Sequence, residues 1–209
     1  FASYCTRINY GAAITAIAAD LGIAKKLAGV VSTGLFVTYG VGQFISGILG
    51  DRIPPHRLIL AGLAGASVLN VAMGLSSNIY LMTALWCANG FFQALMWPPL
   101  VRIMSELLDA EEYKRAVITV SVASTAATIL IYLLVPLCIA LSGWRTVFSL
   151  CAGLGLAVAA LWLLYTRALK RKGFYAGAAP HTPVPSSPEK SGAGAPSFSF
   201  GRLAALSGL

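Results

Sequence analysis

Charge is what this sequence has least of. Only 11% of its 209 residues are Asp, Glu, Lys or Arg, where a soluble domain carries roughly 25%. So few charges cannot coat a water-facing surface, and a soluble globular protein is excluded. Acidic residues are the scarcest, at seven, and they form no pair suited to general acid and base chemistry. The two histidines, His56 and His181, fall in loops between apolar blocks. The four cysteines, Cys5, Cys87, Cys138 and Cys151, lie inside apolar blocks without CxxC spacing. They read as small buried hydrophobes, not as metal ligands or disulfides. No nucleophile elbow is present. An enzyme is therefore not expected, nor a metal, nucleotide or other cofactor. Short alternating strands are also lacking, which excludes a membrane β-barrel. A basic leader and a cleavage site are lacking too, which argues against a signal peptide. The chain starts at Phe1 and stops at Ser207-Gly208-Leu209. It reads as a fragment cut inside its first membrane helix.

What the sequence does have is apolar residues, 57% of the chain, gathered in long blocks. About 20 apolar residues cross a bilayer as a helix. Inside lipid the backbone must satisfy itself, so the spanning elements are helices. Six spans are expected: 1–19, 27–50, 57–76, 79–107, 115–141 and 145–167. Their separators are polar. The segment Asp51-Arg52-Ile53-Pro54-Pro55-His56-Arg57 is charged and carries two prolines. Ser76-Ser77-Asn78 offers a helix N-cap. Glu106 to Arg115 is a charged stretch, and Ser142-Gly143 makes a tight turn.

A net charge of +8 invites a nucleic-acid reading, but the basic residues sit between spans. One set of separators holds Arg52, Arg57, Arg102, Lys114, Arg115 and the cluster Arg167, Lys170, Arg171 and Lys172. The other holds only Lys25, Lys26 and Arg145. By the positive-inside rule, the 51–57 loop and the residues after 167 are cytoplasmic, and nucleic acid is not a partner. Residues 171–197, with Pro180, Pro183, Pro185 and Pro188, read as a flexible cytoplasmic linker. Residues 198–209 turn apolar again and approach a seventh helix. Residues 1–170 are thus expected to form an amino-terminal transmembrane domain of six helices.

Two local features carry chemistry. The first is Gly47-Ile48-Leu49-Gly50-Asp51-Arg52 followed by Arg57. Its glycines suit close helix approach, and Asp51 stands at a helix end where it can pair with basic groups. The segment is either a conformational gate or a charged loop that sets topology. The second is Arg7, in a span with Tyr4 and Cys5. An arginine at mid-membrane costs roughly 2.5–3.5 kcal/mol on insertion scales, so it marks a functional site by default. Its guanidinium fork suits phosphate or carboxylate. The alternative is that it snorkels to the membrane edge. Asn9, Tyr10, Tyr39, Gln43, Asn89 and Gln93 either face a central cavity or bond helix to helix. Pro98 and Pro99, after Trp97, are expected to bend their helix.

The 47–57 segment resembles the loop signature of the major facilitator superfamily. Tyr39-Gly40-Val41-Gly42-Gln43-Phe44-Ile45-Ser46-Gly47, Leu60-Ala61-Gly62-Leu63 and Gly90-Phe91-Phe92-Gln93-Ala94-Leu95-Met96-Trp97-Pro98-Pro99 are similar to the organophosphate:phosphate antiporter family. Tyr4, Arg7 and Asn9 resemble that family's first helix, and Gly143-Trp144-Arg145 the start of its sixth. The likeness covers residues 1–170. It implies the amino-terminal half of a twelve-helix carrier in a bacterial inner membrane. Such a carrier exchanges a phosphate ester, as a small anionic substrate, for inorganic phosphate. It implies a site between two six-helix halves, with one arginine from each. Arg7 matches the first, with Tyr4, Tyr39 and Gln43 beside it; the carboxy-terminal half would supply the second. Three positions depart from the family: Ile8 replaces a lysine, Gln43 a basic residue, and Ala126 lies near a histidine's place. Two other functions remain open. One is a proton- or sodium-coupled symporter of another organic anion, which would want a membrane-embedded carboxylate. The other is a transporter-like sensor of sugar phosphate.

Overall fold

The computed structural model describes residues 1–171. Seven helices account for nearly all of them, and the described residues contain no strand. They are α1 (Ala2–Asp20), α2 (Lys25–Arg52), α3 (Pro55–Leu75), α4 (Ile79–Ala94), α5 (Trp97–Leu107), α6 (Ala110–Ser142) and α7 (Trp144–Arg171). The expected linker, apart from Arg171, and the approach to a seventh span lie outside the described residues, as does His181.

The expected spans map onto these helices, and the differences have local causes. The fourth span is two helices. Pro98 and Pro99 offer no N–H to the carbonyls of Ala94 and Leu95, so the α-helical ladder stops there. Leu95 and Met96 instead donate to Phe92 and Gln93, three residues back. The two prolines fall in the first turn of α5, where a missing N–H costs nothing. The sixth helix starts five residues before the expected 115, because Asp109 and Glu112 form a capping box. The Asp109 carboxylate accepts from the N–H groups of Glu111 and Glu112, and Glu112 accepts from the Asp109 N–H. The expected cap at Asn78 is present, accepting from Tyr80 and Leu81. Gly143 makes its turn at φ 88°, a backbone that favours glycine.

Five helices are long and apolar enough to cross a membrane: Lys25–Arg52, Pro55–Leu75, Ile79–Leu107, Ala110–Ser142 and Trp144–Leu169. The helix α1 is not among them, because Ser3, Thr6, Arg7 and Asn9 dilute its apolar character. Its position explains how it tolerates them. It packs against α2, α3, α4, α6 and α7, at the centre of the bundle. Tyr10, Ala13 and Ile17 are fully buried there. An aromatic chain links α1 to α4 and α7: Tyr10 to Trp86 at 5.4 Å, Trp86 to Phe148 at 5.9 Å, and Phe148 to Trp144 at 5.8 Å.

The helices α2 and α4 approach closely at glycines. A Cβ on Gly90 would collide with the Leu35 carbonyl and the Thr38 hydroxyl, and one on Gly42 would stand 2.8 Å from the Ala94 Cβ. That proximity lets Thr38 donate to the Cys87 carbonyl at 2.7 Å. A Cβ on Gly47 or Gly50 meets nothing within 4 Å among the described residues. His56 is corrected. It is not in a loop but in the first turn of α3, buried, with its carbonyl accepting from Trp162 at 3.0 Å. Cys5 and Cys151 are buried, Cys87 and Cys138 are half-buried, and all four are free thiols.

Candidate functional site

The helix α1 has two unlike polar faces. Tyr4, Arg7, Ile8 and Gly11 recur at helical spacing along one. Ser3, Thr6 and Asn9 recur along the other. The first face borders a pocket of about 190 Å³ lined by Arg7, Ile8 and Gly11 with Ser32, Leu35, Phe36, Trp86 and Tyr132. Four helices therefore contribute: α1, α2, α4 and α6. The guanidinium of Arg7 lies 4.1 Å from the Tyr39 ring centroid, 5.6 Å from Phe36 and 5.9 Å from Tyr4. It is half-buried, and no described residue hydrogen-bonds to it or pairs with it ionically.

The structure thus gathers Arg7, Tyr4 and Tyr39. Gln43 lies one turn further along α2, half-buried, and does not line the pocket. Sequence reasoning missed Ser32, Phe36, Trp86 and Tyr132. Ser32, Phe36 and Tyr39 share one face of α2 at four- and three-residue spacing, a signal that was available. Tyr132 gave none, because residues 129–141 of α6 are apolar on every side. Pro136, one turn on, leaves the Tyr132 carbonyl without its helical donor.

The opposite face of α1 is bonded. Asn9 donates to Asn70 at 2.7 Å. The Thr6 carbonyl accepts from Asn70 at 2.9 Å and from Asn89 at 3.1 Å. Gln93 donates to the Thr6 hydroxyl at 2.9 Å and to the Ser3 carbonyl at 3.1 Å, and accepts from the Ser3 hydroxyl at 2.8 Å. Tyr10 donates to the Ala28 carbonyl at 2.9 Å. So Asn9, Tyr10, Asn89 and Gln93 bond helix to helix, and none of them lines the pocket.

The two ends of the bundle differ. At the α2–α3 end, Asp51, Arg52 and Arg57 are exposed, and none of the three makes an ion pair or hydrogen bond with a described residue. The cation that does act there is Arg102 on α5. It donates to the Gly50 carbonyl at 2.6 Å and pairs with Glu106 at 2.7 Å. Its role was not legible in sequence, since it depends on α5 reaching the end of α2. At the opposite end, Asp20 accepts from Trp144 and from Arg145, both at 2.9 Å, and Arg145 also donates to Ser77 at 3.0 Å. Those two bonds hold the Asp20 carboxyl below the usual carboxylate range.

Comparison with known proteins follows the same lines. The model of the Major Facilitator Superfamily matches residues 1–206. A probable hexose phosphate transport protein of Chlamydia trachomatis is 32% identical over 142 residues, 68% of this chain and 31% of that protein. The membrane sensor protein UhpC of Escherichia coli is 31% identical over 102 residues, 49% of this chain and 23% of that protein. The glycerol-3-phosphate transporter of Bacillus subtilis is 27% identical over 169 residues, 78% of this chain and 38% of that protein. The chain spans about a third of the length of the curated relatives it matches. The family match, the all-helical bundle and the apolar spans lead to one conclusion. The chain is an integral, multi-pass membrane protein of the Major Facilitator Superfamily, a family of transporters and not of enzymes.

Proposed function

We propose that the chain is part of an alternating-access exchanger that trades an anionic organophosphate for inorganic phosphate. The observation that carries this is the Arg7 guanidinium. It faces a pocket between helices with no carboxylate to neutralise it among the described residues. Ring contacts of this kind return roughly 0.5–2 kcal/mol, less than the 2.5–3.5 kcal/mol or so that a membrane-embedded arginine costs. The deficit favours an anion at that point, and the planar fork favours phosphate. The similarity to proteins named for hexose phosphate and glycerol-3-phosphate transport supports the same substrate class.

In this reading residues 1–170 are the amino-terminal six-helix half, residues 171–197 link it in the cytoplasm to the other half, and residues 198–209 lead to a seventh span. Gly47, Gly50, Asp51, Arg52 and Arg57 act at the cytoplasmic gate, where the other half supplies partners. The membrane is a bacterial inner membrane. The test is reconstitution of the full-length protein in phosphate-loaded vesicles. Labelled glycerol phosphate or hexose phosphate should enter only when phosphate is inside. Entry driven by a proton gradient with no dependence on internal phosphate would overturn the exchange reading. A second reading, a sensor of sugar phosphate, is favoured by the similarity to UhpC. It requires ester binding with no flux.

A further inference from the structure

Three side chains from neighbouring helices converge on a single turn of α1, the turn immediately before Arg7. The Thr6 carbonyl accepts from Asn70 of α3 and Asn89 of α4. Gln93 of α4 holds the Thr6 hydroxyl and the Ser3 carbonyl, and Asn9 is tied to Asn70. All of these amides are buried, Asn9, Asn70 and Asn89 completely.

The second observation is a cost accepted at the same place. The Asn89 side-chain carbonyl is buried and has no hydrogen-bond partner among the described residues. A leucine of similar shape would avoid that penalty. The position therefore carries a polar residue for its donor alone, and the donor points at Thr6. The bonded residues Thr6 and Asn9 lie on a different face of α1 from Tyr4, Arg7 and Gly11. A helix gripped on one face cannot turn about its own axis or slide, so the grip fixes where the other face points.

We propose that Asn70 and Asn89 are positioning residues: by holding the Thr6 carbonyl they set the rotation of α1 that aims Arg7 into the pocket. This rests on the reading of Arg7 as the group that meets the transported anion. It adds that the helix carrying the site's arginine is oriented from behind, by α3 and α4. Asn70 also donates to the Ala66 carbonyl of its own helix at 2.9 Å, which fixes its amide plane. Asn70 is thereby the more rigid of the two clamps.

The first test uses the full-length transporter in proteoliposomes with labelled inorganic phosphate as probe. Asn70→Leu and Asn89→Leu should raise the KM for phosphate about tenfold, with the maximal rate per inserted protein within about twofold of wild type. A lowered maximal rate with unchanged KM would overturn the proposal, since that is the mark of lost packing. The second test does not depend on the substrate. The four native cysteines are replaced by serine, and position 7 is labelled as Arg7→Cys with a charged methanethiosulfonate. Ser121→Cys, exposed on α6, is the control. Asn89→Leu should slow labelling at position 7 at least fivefold and leave position 121 unchanged. Equal rates at position 7 with and without Asn89, or parallel changes at both positions, would overturn it. If wild type exchanges no phosphate but the labelling shift appears, the clamp stands and the exchanger reading fails.

Discussion

Arg7 and Asp20 stand on the same helix and meet opposite fates. Asp20 is paired, by Trp144 and Arg145, and Arg7 is left to aromatic rings. An exposed pair such as Asp20–Arg145 contributes little net stability, so it serves to fasten the ends of α1 and α7 more than to stabilise them. In the proposed function, a guanidinium beside a pocket that no described residue pairs with serves a ligand. Arg7→Lys should therefore cut phosphate exchange by more than tenfold while the protein still inserts at wild-type abundance, because a point charge cannot replace the fork. Uptake in vesicles and quantitative immunoblotting check both halves of that statement. The folded-state pKa of Asp20 lies below its unfolded value of 3.8. Its contribution is therefore complete above that value and is lost as pH falls through the depressed pKa. The melting-temperature gap between wild type and Asp20→Asn should hold steady from neutral pH down to about 4 and close below it.

At the level of elements, glycine decides which helices touch. The α2–α4 crossing depends on Gly90 and Gly42, whose positions leave no room for a methyl group. Gly90→Ala should destabilise the bundle by about 1–3 kcal/mol, as overpacking does, and lower the thermal midpoint of the detergent-purified protein. Gly47→Ala and Gly50→Ala meet no neighbour. In an exposed helix alanine is favoured over glycine by about 1 kcal/mol, so their midpoints should be equal to wild type or higher. Any transport defect in those two variants then reports on the gate and not on packing. The tryptophan-diproline motif announced the break between α4 and α5 because a missing N–H is a local fact. The Arg102 contact to the Gly50 carbonyl was not announced, because it joins residues 52 positions apart.

For the whole molecule, the two ends of the bundle carry different charge chemistry. The α2–α3 end gathers Arg52, Arg57 and the Arg102–Glu106 pair. Among the described residues the far end holds the Asp20 contact to Trp144 and Arg145, and Arg145 to Ser77, beside Lys25 and Lys26. In intact cells Arg57→Cys should be shielded from an impermeant thiol reagent and Ser77→Cys open to it, if the first end is cytoplasmic. Reversed labelling would invert the topology. The sequence by itself determined the class, the order of the apolar spans and the family, because apolar block length, proline and capping residues act within a few positions of themselves. It also marked Arg7, since a charge inside an apolar block costs free energy wherever it stands. Only the tertiary structure decided what surrounds Arg7. The same helix carries polar residues on both faces, and periodicity alone does not tell a face bonded to its neighbours from one open to a pocket. Packing of α3 and α4 against Ser3, Thr6 and Asn9 made that choice, bonding Asn9, Asn89 and Gln93 between helices and leaving Arg7 at the cavity with the Tyr4 and Tyr39 rings against it.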